Sequence, residues 1–511
     1  MRRLVFHPLL IAALPVFYLY SYSVRQSFVA PKDAVLPLIL SVAGAAALWL
    51  VLWLCIRNAA KSGLITTIVV TVFFLYGAIS GLVAHVWSGL RYWELACLLL
   101  TLIVLASWPI IRTRRDMAGV SLGLNVAGAF LILFNIVTSI PSTLAAYRAS
   151  TSRPRATPAV EKGHYPDIYD IILDAHARAD ILASMYHYDD TWFVDSLRQL
   201  GFYVVSQART NYPQTYLSVA STLNMTYLDS LARAVGPQST DRRPLLRFVV
   251  DNRVMRELRS RGYRIVSFTS GYTGTEFENA DIHLAPRWVS SEFLYVLLVN
   301  TALGPGLLRD LGLKYWADQH RARIRYVLEH LPDAARMDGP AFTFAHMICP
   351  HPPFVFGPHG EPLNGSNASK LADANHLHHM DPALVQKYVA DYRGQVEFID
   401  HAILKAIGGI LANSPTPPVI IVYGDHGPGS RFDLDDLWKS YFPERMEILY
   451  AIHLPDHDYR GWYDSLSRVN TYRLLFDRLF GDTLSLLPDR SYVATWKQPY
   501  QYFDVDTFLP R

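Results

Sequence analysis

Cysteine is almost missing from this sequence, with Cys55, Cys97 and Cys349 the three in 511 residues. Cys349 alone follows the apolar N-terminal part, so that later region has no pair from which to form an intramolecular disulfide. Charge is scarce too, at 18% of residues against 51% hydrophobic. Acids are scarcest near the front, where residues 1–147 hold three (Asp33, Glu94, Asp116) against ten Lys and Arg. That gives the front a net charge of +7 and leaves −4 for 148–511. A remainder so evenly balanced lacks the basic surplus of a nucleic-acid binder, and no nucleic-acid partner is expected. So apolar a chain is not intrinsically disordered either.

What is present is five long apolar runs, about Val5–Tyr22, Ala34–Ile56, Leu64–Trp87, Leu95–Ile111 and Ala118–Ile140. Each approaches or exceeds the roughly 20 residues that cross a bilayer as a helix. Arg2 and Arg3 before the first run would suit a cleaved leader, but FYLYSYS is a poor cleavage site, so a retained anchor is expected. With the N-terminus inside, Arg2, Arg3, Arg57, Lys61, Arg112, Arg114 and Arg115 fall on the cytoplasmic side, and Arg25, Lys32 and Arg91 outside. The positive-inside rule favours that orientation, and an odd number of spans then exports everything after Ile140. An odd count without acids at mid-membrane also argues against a transporter built from inverted repeats. The expected organisation is a transmembrane domain at 1–147, a Ser/Thr/Pro-rich linker at 148–163 and an extracytoplasmic domain at 164–511.

In the exported part, short β-branched or aromatic runs alternate with helical segments. They are Asp167–Leu173, Phe202–Ser206, Arg264–Phe268, Ala341–Ile348, Val419–Tyr423 and Ile448–Leu454. Continuous apolar strands separated by helices predict an α/β domain, a mostly parallel sheet with helices on both faces. The His-, Asn- and Gly-rich stretch 357–381 reads as a long surface loop, with possible sequons at Asn364 and Asn367. In such sheets ligands bind beyond the carboxyl ends of the strands. Four places qualify: Asp174 in IILDAHARAD, Thr215 in NYPQTYLSVAS, His346 and His351 in FAHMICPHPP, and Asp425–His426 in VIIVYGDHGPG. Asp425 and His426 can aim oxygen and nitrogen at one divalent cation, with Gly427 and Gly429 letting the backbone turn. Taken singly, Asp174 and Thr215 also read as helix N-caps, and His346 as a satisfied core histidine. His176, Arg178 and Arg431 could neutralise a phosphate or be structural, and Asp400, in VEFIDHAI, reads as a solvated helix face.

Together, strand–Asp174, Thr215 with Ser218 three on, His346-x4-His351 and strand–GDHG resemble the alkaline phosphatase superfamily. With the five-span anchor, the chain looks like the sulfatase-like membrane enzymes, the lipoteichoic acid synthases and phosphoethanolamine transferases. The resemblance implies Asp174, Thr215, Asp425 and His426 around one divalent metal, zinc or manganese before magnesium, with Thr215 the nucleophile. His346, His351, Arg178 and Arg431 would bind substrate. It does not imply a second tightly bound metal, since the Asp-x3-His pair of two-metal members is absent. The sulfatase nucleophile is absent too, because in CPHPP from Cys349 the Pro and Arg of C-x-P-x-R are replaced by His351 and Pro353. The implied activity is transfer of a phospholipid head group, phosphoglycerol or phosphoethanolamine, to an extracytoplasmic glycan or lipid. Water as acceptor, giving a phosphodiesterase or phosphatase, and a non-catalytic receptor keeping the fold are the alternatives. The implied setting is a bacterial inner membrane with the domain facing out.

Overall fold

Apolar helix formers dominate the front of the chain, and in a computed structural model it folds into five helices: α1 His7–Gln26, α2 Pro31–Ile56, α3 Ala59–Val86, α4 Tyr92–Arg112 and α5 Ala118–Thr151. The structure describes residues 4–26, 29–87, 89–151, 165–277, 279–286, 292–304, 315–363, 373 and 382–508. All five helices are long and apolar enough to cross a membrane. They expose large side chains such as Leu100, Val104, Leu105, Phe130 and Phe134, which water would not tolerate in such number. The linker expected at 148–163 lies outside the described residues from 152 onward.

The chain divides into two units, 1–148 with 290–316, and 149–289 with 317–511. The excursion at 290–316 was expected in the exported domain, but its helix Glu292–Val299 (EFLYVLLV) carries one acid and seven apolar residues. Phe293 and Leu297 bury against Val16 and Val29 in the first unit. Beyond the helix, the Asn300 carbonyl accepts the Gly77 N–H at 2.9 Å and the Ala302 N–H donates to the Phe73 carbonyl at 2.8 Å. A Cβ at Gly77 would lie 2.9 Å from Asn300 Cα, so this approach requires glycine.

The second unit is built on a seven-stranded sheet: β1 Ile168–Leu173, β2 Tyr203–Val204, β3 Arg264–Phe268, β4 Ile282–Leu284, β5 Ala341–Met347, β6 Val419–Tyr423 and β7 Tyr450–His453. Their order is β2-β7-β6-β1-β5-β3-β4. The pairs β4–β3–β5–β1–β6 are parallel, and β7 and β2 add antiparallel pairs at one edge. A short antiparallel ribbon, β8 Tyr492–Val493 with β9 Phe503–Asp504, completes the strands. β4 and the ribbon are too short to show a period in the sequence.

Ile171, Leu173, Ala345, Met347, Ile420 and Val422 point to one face, with Phe193, Ile324 and the stripe Ile399, Ile403, Ile407 and Ile410 packed on them. That stripe lies on the long helix Pro382–Asn413. The other face carries helix Thr471–Phe480, whose Tyr472 hydroxyl donates to Asp170 on β1. Every β1 residue is therefore buried, as a central parallel strand requires. Asp400 departs from its expected exposed position and is fully buried. It continues the spacing Val396–Asp400–Ile403–Ile407, which turns it inward with the apolar stripe.

The glycine contact in the first unit predicts that Gly77→Val costs roughly 1–3 kcal/mol by overpacking. Thermal unfolding in detergent should fall accordingly and segment 300–304 should become more sensitive to protease. An unchanged melting temperature and protease map would show that the close approach is not needed.

Candidate active site

Parallel pairing brings the candidate residues together. Leu173 is level with Met347, and Ile172 with Tyr423, so β1, β5 and β6 end side by side. The Asp174 N–H extends the ladder to the Met347 carbonyl at 3.0 Å. Ala175 then takes a left-handed φ of 64°, turning the chain so that its N–H reaches Asp425 Oδ1 at 3.3 Å. The Tyr392 hydroxyl holds this turn by donating to the Ala175 carbonyl at 2.7 Å.

The glycines of the GDHG segment act by their size. A Cβ at Gly424 would sit 2.3 Å from the His176 carbonyl oxygen, and one at Gly427 2.0 Å from that of Glu444. Neither these two nor Gly429 has a positive φ, so the expected turning role gives way to close backbone approach.

Thr215 is the first residue of helix Thr215–Asn224, with Gln214 in the N-cap position, so Thr215 is not the cap its alternative reading suggested. Its Oγ1 lies 3.2 Å from His426 Nε2. His426 Nδ1 faces the Gly427 carbonyl at 3.0 Å. A carbonyl only accepts, so Nδ1 carries the proton and Nε2 presents its lone pair inward. Asp174 Oδ1 and Asp425 Oδ2 each lie 3.5 Å from that Nε2. Asp174, Asp425 and His426 are at most 3% exposed and Thr215 is 9%.

Asp174 Oδ1 and Asp425 Oδ2 have no hydrogen-bond donor despite their burial. Two inward carboxylate oxygens, an imidazole lone pair and a hydroxyl are the donor set of a divalent cation, and orphaned buried oxygens are costly without one. The residues present therefore fit a metal, of the zinc or manganese type, with magnesium compatible through the carboxylates. Asp174 belongs to two groups whose ligand atoms lie within 4.8 Å of one another, one with His351 and His426, the other with His346 and Asp425.

His346 joins through Nε2, 3.1 Å from Asp174 Oδ2, while its Nδ1 meets Thr275 Oγ1 at 2.7 Å. His351 is tied in through its N–H, which donates to the Asp174 carbonyl at 2.9 Å, and its ring is 5.9 Å from that of His426. Arg178 is committed elsewhere, to Asp180 at 2.7 Å, Glu447 at 2.5 Å and the Ala208 carbonyl at 3.2 Å. Arg431 has an exposed side chain, and its backbone N–H donates to Glu444. The structure thus gathers six of the eight expected residues; it ties Arg178 into a surface ion pair and leaves Arg431 in solvent.

Several groups here were not expected. Asp373, in the stretch read as a surface loop, has a side chain only 5% exposed that accepts from Arg445 and from the Tyr388 hydroxyl at 3.0 Å. It also lies 3.4 Å from His351 Nε2. The rest of 364–381, including Asn364 and Asn367, falls outside the described residues. Arg445 donates to the Gly427 carbonyl at 2.9 Å and reaches His426 Nε2 at 3.2 Å. An arginine inside FPERMEIL carries no motif, and Asp373 is 199 residues from Asp174, so neither had a signal in one sequence.

Electrostatics follow from this packing. Burial alone would raise the Asp174 carboxyl, but His351, His346 and His426 outweigh it and hold the group below the usual carboxylate range. Burial and the charge of Asp174 push Asp425 up. Burial and Arg445 lower His426, which favours the neutral imidazole with Nε2 unprotonated. Burial would lower His351, yet Asp174 and Asp373 hold it up to about 9.

No protein-family model matches this chain and no curated protein matches it. Among solved structures it is similar to the C-terminal periplasmic domain of EcEptC from Escherichia coli in complex with Zn, at 12% identity and a TM-score of 0.43, covering 69% of this chain and 97% of that one. It is also similar to the C-terminal periplasmic domain of phosphoethanolamine transferase EptC from Campylobacter jejuni, at 12% identity and 0.35, covering 62% and 89%. A third is the phosphonate monoester hydrolase of Agrobacterium radiobacter, at 19% identity and 0.39, covering 61% and 73%. All three fall under a TM-score of 0.5, and they assign this chain neither substrate nor activity.

The His351 shift has a sign that can be checked. A histidine raised above its unfolded value near 6.5 adds stability that is complete below that pH and lost as pH rises through about 9. Metal-stripped full-length protein should lose about 3 kcal/mol between pH 6.5 and 9.5, and Asp373→Asn should flatten that decline. Equal slopes in both proteins would contradict the pairing.

Proposed function

We propose that this protein is a membrane-anchored, metal-dependent phosphotransferase with Thr215 as nucleophile. The observation that carries this reading is the placement of Thr215 Oγ1, at the start of a helix and 3.2 Å from His426 Nε2, beside the unpartnered oxygens of Asp174 and Asp425. A threonine hydroxyl is a poor nucleophile at neutral pH. A divalent cation held by Asp174, Thr215, Asp425 and His426 would lower the hydroxyl's pKa and stabilise charge on the phosphoryl group.

The chain's own residues then have separate roles. Thr215 Oγ attacks phosphorus, the bond to the diacylglycerol oxygen breaks, and the proton lost by the Thr215 hydroxyl passes to that leaving oxygen, so that diacylglycerol departs as the neutral alcohol. The first-turn N–H groups of helix Thr215–Asn224 have no intrahelical acceptor and suit the phosphoryl oxygens, aided by the helix dipole. His351, kept protonated by Asp174 and Asp373, adds positive charge beside the cluster. His346 holds Asp174 through Nε2, and Thr275 holds His346. The phospho-Thr215 head group, phosphoglycerol or phosphoethanolamine, passes to a hydroxyl of an extracytoplasmic glycan or lipid. Buried surroundings keep bulk water from Thr215, which favours transfer over hydrolysis.

The five apolar helices support a membrane phospholipid as donor, and the distribution of Lys and Arg supports a bacterial inner membrane, N-terminus cytoplasmic and catalytic domain outside. One metal ion serves this mechanism. Thr215→Ala should lower diacylglycerol release from phospholipid at least about 10³-fold while leaving metal content close to wild type. Release retained in that variant would refute the nucleophile. Loss of metal along with activity would make holding the metal, and not attack on phosphorus, the role of Thr215.

A further inference from the structure

A second buried group of ligand-type side chains lies apart from Thr215. His176 follows the turn after β1, Asp190 precedes helix Thr191–Gln199, and Asp400 is on the long helix Pro382–Asn413. The three are 0%, 1% and 0% exposed, and one ligand atom from each lies within 4.8 Å of the others.

The hydrogen bonds show what is missing. His176 Nδ1 faces the Ala177 carbonyl at 2.9 Å, so Nδ1 carries the proton. Nε2 then presents a lone pair 2.7 Å from Asp400 Oδ1, itself an acceptor when ionised. Both oxygens of Asp190 and Asp400 Oδ2 have no donor. Among the described residues no Lys or Arg is ion-paired with any of the three, and the ring beside His176 is that of Phe193, at 5.9 Å. Two carboxyls and an imidazole lone pair turned toward one another in apolar surroundings call for a positive species among them.

The arrangement repeats that of His426. There too Nδ1–H goes to the carbonyl of the following residue and Nε2 faces two aspartates. An imidazole fixed by a backbone carbonyl with its other nitrogen free is the usual support of a metal-binding histidine. We propose that His176, Asp190 and Asp400 bind a divalent cation of the zinc or manganese type. It is a closed structural site that ties the end of β1 to helix Thr191–Gln199 and to the long helix. The alternative occupant is a proton shared between Asp190 and Asp400: burial raises both carboxyls, with the charge of Asp400 adding to the rise at Asp190 and that of Glu397 at Asp400.

The test counts metal in full-length protein in detergent, loaded with zinc or with manganese, desalted and measured by elemental mass spectrometry. Asp190→Asn and Asp400→Asn keep side-chain shape while removing charge, so one serves if the other fails to fold. Each is compared with wild type and, to keep this site separate from the candidate active site, in a His426→Ala background. The expected result is a loss of about one ion per chain in each Asn variant in both backgrounds, with a smaller drop in melting temperature on chelation than wild type shows. Unchanged metal content in folded Asp190→Asn and Asp400→Asn would overturn the proposal and assign the cluster to shared protons. A loss confined to His426→Ala would leave the active-site metal standing and remove this one.

Discussion

Two carboxylates are forced together in a place that water does not reach. Asp174 and Asp425 leave adjacent strands at the same level because β1 and β6 pair in parallel register, and both are buried. Each keeps an oxygen without a donor. Such a pair is unfavourable unless positive charge sits beside it. Part of the surrounding architecture supplies that charge: His351, held protonated by Asp174 and Asp373, and Arg445, paired with Asp373 and in contact with His426, while His346 fixes Asp174 through its Nε2.

The cost of holding this arrangement is met by packing. β1 is covered on both faces, which fixes where its end lies, and a left-handed alanine turns the chain at Asp174. Gly424 and Gly427 let two backbone segments approach closer than any side chain permits, which brings Asp425 and His426 to the mouth of helix Thr215–Asn224. Thr215 therefore meets the cluster at a point where unpaired N–H groups and a helix dipole already favour an anion. Chemistry and fold share the same residues here, so substitutions that disturb the sheet ends will also disturb the site.

Much of this was legible in the sequence because its signals are local. Runs such as VIIVY and AFTFAHM are strands by composition, and the polar residue after each run marks a strand end. The five apolar helices follow from length and lack of charge alone. What escaped depends on long-range partners. Asp373 joins the site through Arg445 and Tyr388, which no spacing announces. Arg178 looked available but is held by Asp180 and Glu447, the latter 269 residues away. Asp400 carries a charge that suggests a solvated face, yet its place in the Val396–Ile403–Ile407 stripe turns it inward. The excursion Glu292–Val299 gives no such signal, because seven apolar residues are too few to suggest a membrane-unit element.

The central claim is that Thr215 carries the transferred group. The most direct measurement is intact-mass and peptide-mapping spectrometry of the detergent-extracted protein after incubation with mixed phospholipids and zinc or manganese, beside Thr215→Ala. The account predicts an added mass on the peptide containing Thr215, absent from the variant, whose value names the head group. An unmodified Thr215 peptide while diacylglycerol is still being released, or an adduct mapped to another residue, would contradict it.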